Sequence, residues 1–222
     1  MSKKEPGASG FKKEYWDENY SKPSEMDGIA NAKEHVEYMD LVFRLDFIDI
    51  SSVIDFGFGT GHLFKQALKK FIPYRSHGIE PSKFIFDKAD IEKIRPCSSA
   101  KVKLENIDLC RWAKKQKENS KTFDLGICTS VFQYLSDEEL KTCLPIMAQK
   151  VKYLYLSVPT DKELDRQVDD LEFHDQYALR RSRAYYQKIL KPHFTFISSR
   201  ILESKVHFDE SSTSFTDLLY RF

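Results

Sequence analysis

The stretch Val53-Ile54-Asp55-Phe56-Gly57-Phe58-Gly59-Thr60-Gly61-His62-Leu63-Phe64 constrains this chain more than any other. Val53, Ile54 and Phe56 are β-branched or aromatic, which suits a strand covered on both faces. Gly57, Gly59 and Gly61 follow at once, so the backbone can turn sharply and approach a ligand that any Cβ would hold off. Leu63, Phe64, Ala67, Leu68 and Phe71 then recur at helical spacing. Three of the eight glycines fall within these five positions, a concentration that points to a cofactor at the turn.

The turn does not read as a dinucleotide site. The pattern G-x-G-x-x-G needs its third glycine for close helix–strand packing, and His62 holds that position. Asp55, two residues before the first glycine, would meet a diphosphate with like charge, whereas a zwitterionic, cationic ligand is compatible with it. No Gly-Lys-Ser/Thr follows, which excludes a Walker-type phosphate loop. The pattern Asp55-x-Gly57-x-Gly59-x-Gly61 resembles the first motif of class I S-adenosylmethionine-dependent methyltransferases, in which this loop wraps the methionine end of the cofactor. The resemblance implies S-adenosyl-L-methionine as cofactor. It also implies an α/β fold: a doubly wound, mostly parallel seven-stranded sheet with an antiparallel last strand.

The remaining sequence alternates strand and helix signals, as a parallel sheet with covered faces requires. A short aromatic helix is expected over Phe11–Tyr20, carrying Tyr15, Trp16 and Tyr20, and a longer one over about Asn31–Phe47. Strands are expected at Ser76–Glu80, Lys101–Leu104, Phe123–Thr129 and Tyr153–Val158. Ser136 and Glu139 form a capping box at a helix start. A charged helical stretch follows over about Asp161–Leu190. A final hairpin is expected from Phe194–Leu202 and Thr216–Phe222, across the polar run Asp209–Ser214. This divides the chain into an N-terminal extension, residues 1–30, and a catalytic domain, residues 31–222, with a substrate-lid insertion at about 160–190. The aromatic helix of the extension reads equally as a lid over the cofactor and as simple core packing.

Composition excludes several classes. At 222 residues, with 41% hydrophobic and 14% aromatic residues, the chain fits one domain with a sizeable core. A net charge of +1 provides no global field for nucleic acid or an anionic membrane. Cys97, Cys110, Cys128 and Cys143 form no C-x-x-C pair, so no metal site is expected and the thiols read as reduced. The first residues lack the apolar stretch of a signal peptide, and no apolar run reaches membrane-spanning length. A cytoplasmic protein without a membrane partner is expected.

Ligands of open α/β sheets sit beyond the carboxyl ends of the strands, where strand order reverses. Glu80 stands at such an end, where a carboxylate can accept both ribose hydroxyls; an acidic residue there is the second hallmark of the resembled family. Asn106, Ile107 and Asp108 end the third strand, with Asp108 placed either on the adenine amino group or as a helix N-cap. Thr129 and Ser130 follow the fourth strand and, by the resemblance, contact the cofactor, with Gln133 and Tyr134 toward the methyl acceptor. The cofactor set is therefore Asp55, Gly57, Gly59, Gly61, Glu80, Asn106, Ile107, Asp108, Thr129 and Ser130. On the acceptor side His174 lies in the lid insertion, and Tyr20, Tyr177 and Arg181 are substrate candidates, the arginine as a fork for an anionic group. A solvated arginine face on an amphipathic helix is the plainer reading of Arg180, Arg181 and Arg183.

Thr129-Ser130-Val131-Phe132 replaces the Asn/Asp-Pro-Pro-Tyr of enzymes that methylate DNA bases or glutamine amides, which argues against that chemistry. The acceptor expected is a small molecule, because the chain is little longer than the catalytic fold. Methylation of a protein or RNA, and a non-catalytic cofactor-binding scaffold, remain as alternatives.

Overall fold

The computed structural model describes residues 11–19, 28–97, 99–216, 219 and 221–222. Strand β1 (Ser52–Phe56) is buried at every position and pairs in parallel with β2 (Arg75–Ile79) on one side and β4 (Phe123–Thr129) on the other. Strand β3 (Lys101–Glu105) extends the sheet beyond β2, and β5 (Val151–Ser157) extends it beyond β4. The last two strands, β6 (Phe194–Phe196) and β7 (Ile201–Ser204), complete the order β3-β2-β1-β4-β5-β7-β6, with β7 antiparallel to both its neighbours. The expected fold class is therefore the one observed.

Alternation along β1 sends its side chains to two cores. Val53 packs with α2 (Ala32–Leu45) and α3 (His62–Phe71) through Val36, Met39, Phe43, Phe64 and Leu68. Ile54 and Phe56 pack on the opposite face with α6 (Leu109–Lys115), α7 (Asp137–Lys150) and α9 (Arg183–Leu190), through Trp112, Leu144, Met147 and Leu190. The short helices α4 (Lys83–Phe86) and α5 (Ile91–Ile94) follow β2, and α1 (Lys13–Asn19) packs Tyr15 and Trp16 in a separate small cluster with Ile85. The capping box is formed as expected: Ser136 Oγ accepts the Glu139 N–H, and the Glu139 carboxylate accepts the Ser136 N–H. Among the described residues, no helix is long and apolar enough to cross a membrane.

Two expectations are corrected. The charged stretch after β5 is two helices, α8 (Asp161–Leu171) and α9, because Glu172 takes a left-handed φ of 52° and Ser182 starts a new helix by capping Tyr185. The segment between them, 173–181, is tied instead to the end of β4. The final hairpin is also tighter than periodicity suggested: β6 and the start of β7 both fall in the first candidate run, joined across residues 197–200, and β7 continues past it to Ser204. From the second run only Phe222 is seen on the sheet edge, exchanging backbone hydrogen bonds with Phe196. Residues 217, 218 and 220 lie outside the described set.

Gly126 of β4 shows how tightly the layers close. A Cβ there would stand 2.8 Å from Val151 Cγ1 and 3.0 Å from Phe56 Cε2, both fully buried side chains. Gly126→Ala is expected to destabilise the fold by about 1–3 kcal/mol through overpacking, read as a lower urea midpoint with unchanged slope.

Candidate active site

The sheet reverses its winding between β1 and β4, and a cavity of about 910 Å³ opens beyond their carboxyl ends. The glycine turn forms one wall. Gly57, Gly59 and Gly61 have φ of 102°, 53° and 80°, the left-handed side where side chains are rarely tolerated. Gly57 N and Phe58 N both donate to Ile79 O, at 2.9 and 3.1 Å, which folds the turn back over the end of β2. Gly61 is the N-cap of α3 and offers no side chain, so His62 and Leu63 of the first turn reach the cavity wall.

Glu80 fixes the turn from below. It is 4% exposed; Oε2 accepts Gly59 N at 2.9 Å and Oε1 accepts Ser82 N at 2.8 Å. Burial pushes its pKa up to about 7, against the pull of the two backbone donors. Asp55, also buried, is raised well above the ordinary carboxylate range by burial first and by the nearby Glu80 charge second. Both line the cavity. Two buried carboxylates on one wall repel a diphosphate and suit a cation or a hydroxyl donor, so the residues present fit a cationic nucleoside amino acid.

Other expected residues divide. Asp108 lines the cavity and caps α6, its Oδ1 accepting Arg111 N at 2.7 Å, so the N-cap reading is the one observed and leaves the residue on the wall. Asn106 and Ile107 do not line the cavity. The Asn106 amide donates to Glu80 O and Pro81 O, at 2.7 and 3.1 Å, and braces the β2 end, while Ile107 is core. Thr129 and Ser130 line the wall; Ser130 has φ 54°, a strained position for a non-glycine residue. Gln133 and Tyr134 follow on the same wall.

Of the acceptor-side residues expected, Gln133 and Tyr134 are on the cavity wall, and His174, Arg181 and Tyr177 are not. His174 is exposed and does not line the cavity, although its neighbours Phe173 and Asp175 do. Arg181 is 9% exposed and does not reach the cavity: it donates to Phe132 O at 3.2 Å, Leu135 O at 2.8 Å and Asp137 Oδ1 at 2.6 Å. Its guanidinium is a clasp for the turn after β4. Tyr177 is half-buried among Phe11 and Tyr15 rather than on the cavity wall. Tyr20 lies outside the described residues.

Residues not anticipated complete the site. Asp175 Oδ2 accepts the Tyr134 hydroxyl at 2.5 Å, and that hydroxyl is 3.2 Å from Tyr15 OH. Gly28, Leu164, Gln167 and Phe173 also line the cavity. Nothing local marks Asp175, since it sits in an acid-rich stretch where carboxylates are ordinarily solvated. The aromatic helix and the residue before it lie against the cavity: Trp16 Nε1 donates to Ser82 Oγ at 2.9 Å, Ser82 Oγ donates to Phe11 O at 2.7 Å, and Phe11, Tyr15 and Trp16 line the wall.

Comparison with known proteins agrees with this geometry. Residues 53–153 match the family model described as a methyltransferase domain. Among solved structures, the plantazolicin methyltransferase BpumL in complex with a pentazolic desmethylPZN analog and SAH superposes with a TM-score of 0.60 at 16% identity, over 92% of this chain and 80% of that one. Magnesium protoporphyrin IX methyltransferase (ChlM) from Synechocystis PCC 6803, with bound SAH, gives a TM-score of 0.58 at 17% identity, over 86% of this chain and 96% of that one. No curated protein sequence matches the chain.

The raised pKa of Glu80 has a thermodynamic signature. A carboxylate that holds its proton more tightly when folded contributes stability that is complete below its unfolded pKa and lost as pH rises through the folded one. The window here runs from the ordinary value of 4.5 to about 7. Without ligand, wild-type stability should therefore fall relative to Glu80→Gln as pH rises across that window, in urea titrations of both proteins. A constant difference would contradict the burial cost assigned to this carboxylate.

Proposed function

We propose that this chain, a class I S-adenosylmethionine-dependent methyltransferase, transfers the methyl group of S-adenosyl-L-methionine to a small-molecule acceptor held under the aromatic helix. The observation carrying this reading is the single cavity that runs from the glycine turn to α8, with Trp16 and Tyr15 over it. Its volume of about 910 Å³ lies within the range usual for small-ligand sites. Arg111 and Lys114 are the lysines and arginines on its wall, too few for a groove that tracks a nucleic acid backbone.

The cofactor roles follow from placement. Gly57, Gly59 and Gly61 let the backbone meet the methionine portion, and Asp55 faces its charge. Each Glu80 oxygen already accepts one backbone N–H and keeps a further lone pair for a ribose hydroxyl. Asp108, at the carboxyl end of β3, takes the adenine side. Asn106 and Ile107 act through Glu80 and the core. Thr129 and Ser130 lie along the cofactor, and Gln133 and Tyr134 lead toward the acceptor. The chemistry the cofactor supplies is an electrophilic methyl group. The protein's part is to hold acceptor and donor in line and to exclude water. The N-terminal aromatic helix serves as a lid, anchored through Ser82 to the same backbone that Glu80 holds.

Gly59→Val provides the test. The Cβ position at Gly59 meets only Trp16 at 3.8 Å, so the space there is open and the cost of valine is local backbone strain at a φ of 53°, confined to the turn that the cofactor approaches. The variant is expected to keep its circular dichroism spectrum and to lose S-adenosylhomocysteine binding by at least a hundredfold in calorimetry. Wild-type affinity in this variant would remove the glycine turn from the cofactor site. Methyl transfer from labelled donor to a cell extract should leave the label in the fraction below about 1 kDa, a size typical of ligands that such cavities enclose; label on protein or RNA would refute the small acceptor.

A further inference from the structure

The acceptor end of the cavity has a sign, and it is the opposite of the one the arginine-rich insertion suggested. The insertion contributes Glu163, Glu172 and Asp175 to the wall, together with Gln167, Leu164 and Phe173, and no lysine or arginine. Arg181 is consumed by the turn after β4, and Arg180 is paired with Asp165 and with Asp161 O. Asp175 is held from both oxygens, Oδ2 by the Tyr134 hydroxyl at 2.5 Å and Oδ1 by Tyr177 N at 3.1 Å. A second, independent feature lies beside it. Gln133 is 2% exposed, lines the same cavity, and its Oε1 has no hydrogen-bond partner. A buried acceptor without a donor is costly to leave unmet. A carboxylate fixed in place and an amide oxygen lacking a donor both call for hydrogen-bond donors on the ligand, and the insertion's acidic lining without lysine or arginine favours a donor group that carries or develops positive charge.

We infer that the methyl acceptor is a primary or secondary amine, with Asp175 the group that meets its nitrogen. The inference rests on the methyltransferase reading and narrows its substrate class. The amine reacts as the neutral base, having released a proton to water, and one of its N–H groups donates to Asp175. Its lone pair forms the N–C bond as the C–S bond of the donor breaks, and that bonding pair stays on sulfur. Positive charge therefore passes from sulfur to nitrogen, and the product leaves as a methylammonium ion. Asp175 faces the atom on which charge develops, so its attraction is greater in the transition state than for the neutral amine. Tyr134 is the positioning residue: its hydroxyl holds Oδ2, and Phe11 packs edge-on against its ring with centroids 4.7 Å apart.

The test uses the full chain saturated with S-adenosylhomocysteine, with benzylamine and phenylacetate as probes of matched shape and opposite charge. Calorimetry is expected to give benzylamine at least tenfold tighter binding than phenylacetate. Asp175→Asn should weaken benzylamine at least tenfold and leave S-adenosylhomocysteine affinity within twofold, which also reports that the variant is folded. Tyr134→Phe should weaken benzylamine by a smaller factor. Phenylacetate binding as tightly as benzylamine, benzylamine failing to bind, or Asp175→Asn leaving its affinity unchanged would each overturn the amine assignment while cofactor binding stands. Failure of S-adenosylhomocysteine to bind the wild-type protein would instead bring down the methyltransferase reading, and this inference with it.

Discussion

The buried carboxylate of Glu80 is the contact on which the site depends. One oxygen receives the tip of the glycine turn and the other the start of the segment after β2. Asn106 braces the carbonyl of the same residue, and Ser82, whose amide Glu80 holds, hooks the aromatic helix through Trp16. Turn, strand end and cover are thus fastened at one point. Holding a charge there is unfavourable, as its raised pKa records. Donors that arrive with a ligand relieve that penalty, because hydrogen bonds to a carboxylate favour its charged form. A floor that is uncomfortable when empty and satisfied when filled is a physical basis for affinity.

Charge also explains the division of labour along the insertion. Arg181 lies almost wholly buried, with its donors on two carbonyls and a carboxylate, so it positions Gln133 and Tyr134 by tying the 3₁₀ turn Phe132–Tyr134 to the start of α9. Leu179 N adds a bond to Gln133 O at 2.7 Å. Residues 173–181 act as a strap across the end of β4 rather than as a helix face. The strap spends its cations on the protein's own backbone, and the wall it presents inward is acidic.

The cover is aromatic for a related reason. Phe11, Tyr15, Tyr134 and Tyr177 meet edge-on or tilted, at centroid separations from 4.7 to 6.2 Å. Edge-on rings fill space without leaving polar groups unpaired, while the two tyrosine hydroxyls meet each other and Asp175. The aromatic cluster therefore packs over one end of the cavity and at the same time supplies the Tyr134 hydroxyl that holds the Asp175 carboxylate.

Much of this was legible in order along the chain. The strand, glycine turn and helix from Val53 to Phe71 form as read, because backbone conformation there is set by residues within a few positions: β-branched side chains, bare glycines, a 3.6-residue apolar repeat. Glu80 and Asp108 could be placed because a parallel sheet brings strand ends together without further information. The same local rules could not place His174, Arg181, Asn106 or Ile107, nor the break at Glu172. Whether a side chain faces solvent, a cavity or a carbonyl twenty or more residues away depends on which segment packs over it. Arg181 meets Phe132 and Leu135 only because β4 and the strap converge, and Asp175 becomes a site residue only where Tyr134 arrives to hold it. The sequence alone determined the fold class and the glycine-turn wall of the cavity, where local geometry suffices. Which charged side chains of the 160–190 segment line the cavity was decided by tertiary structure, because charge pairing is settled by neighbours in space rather than along the chain.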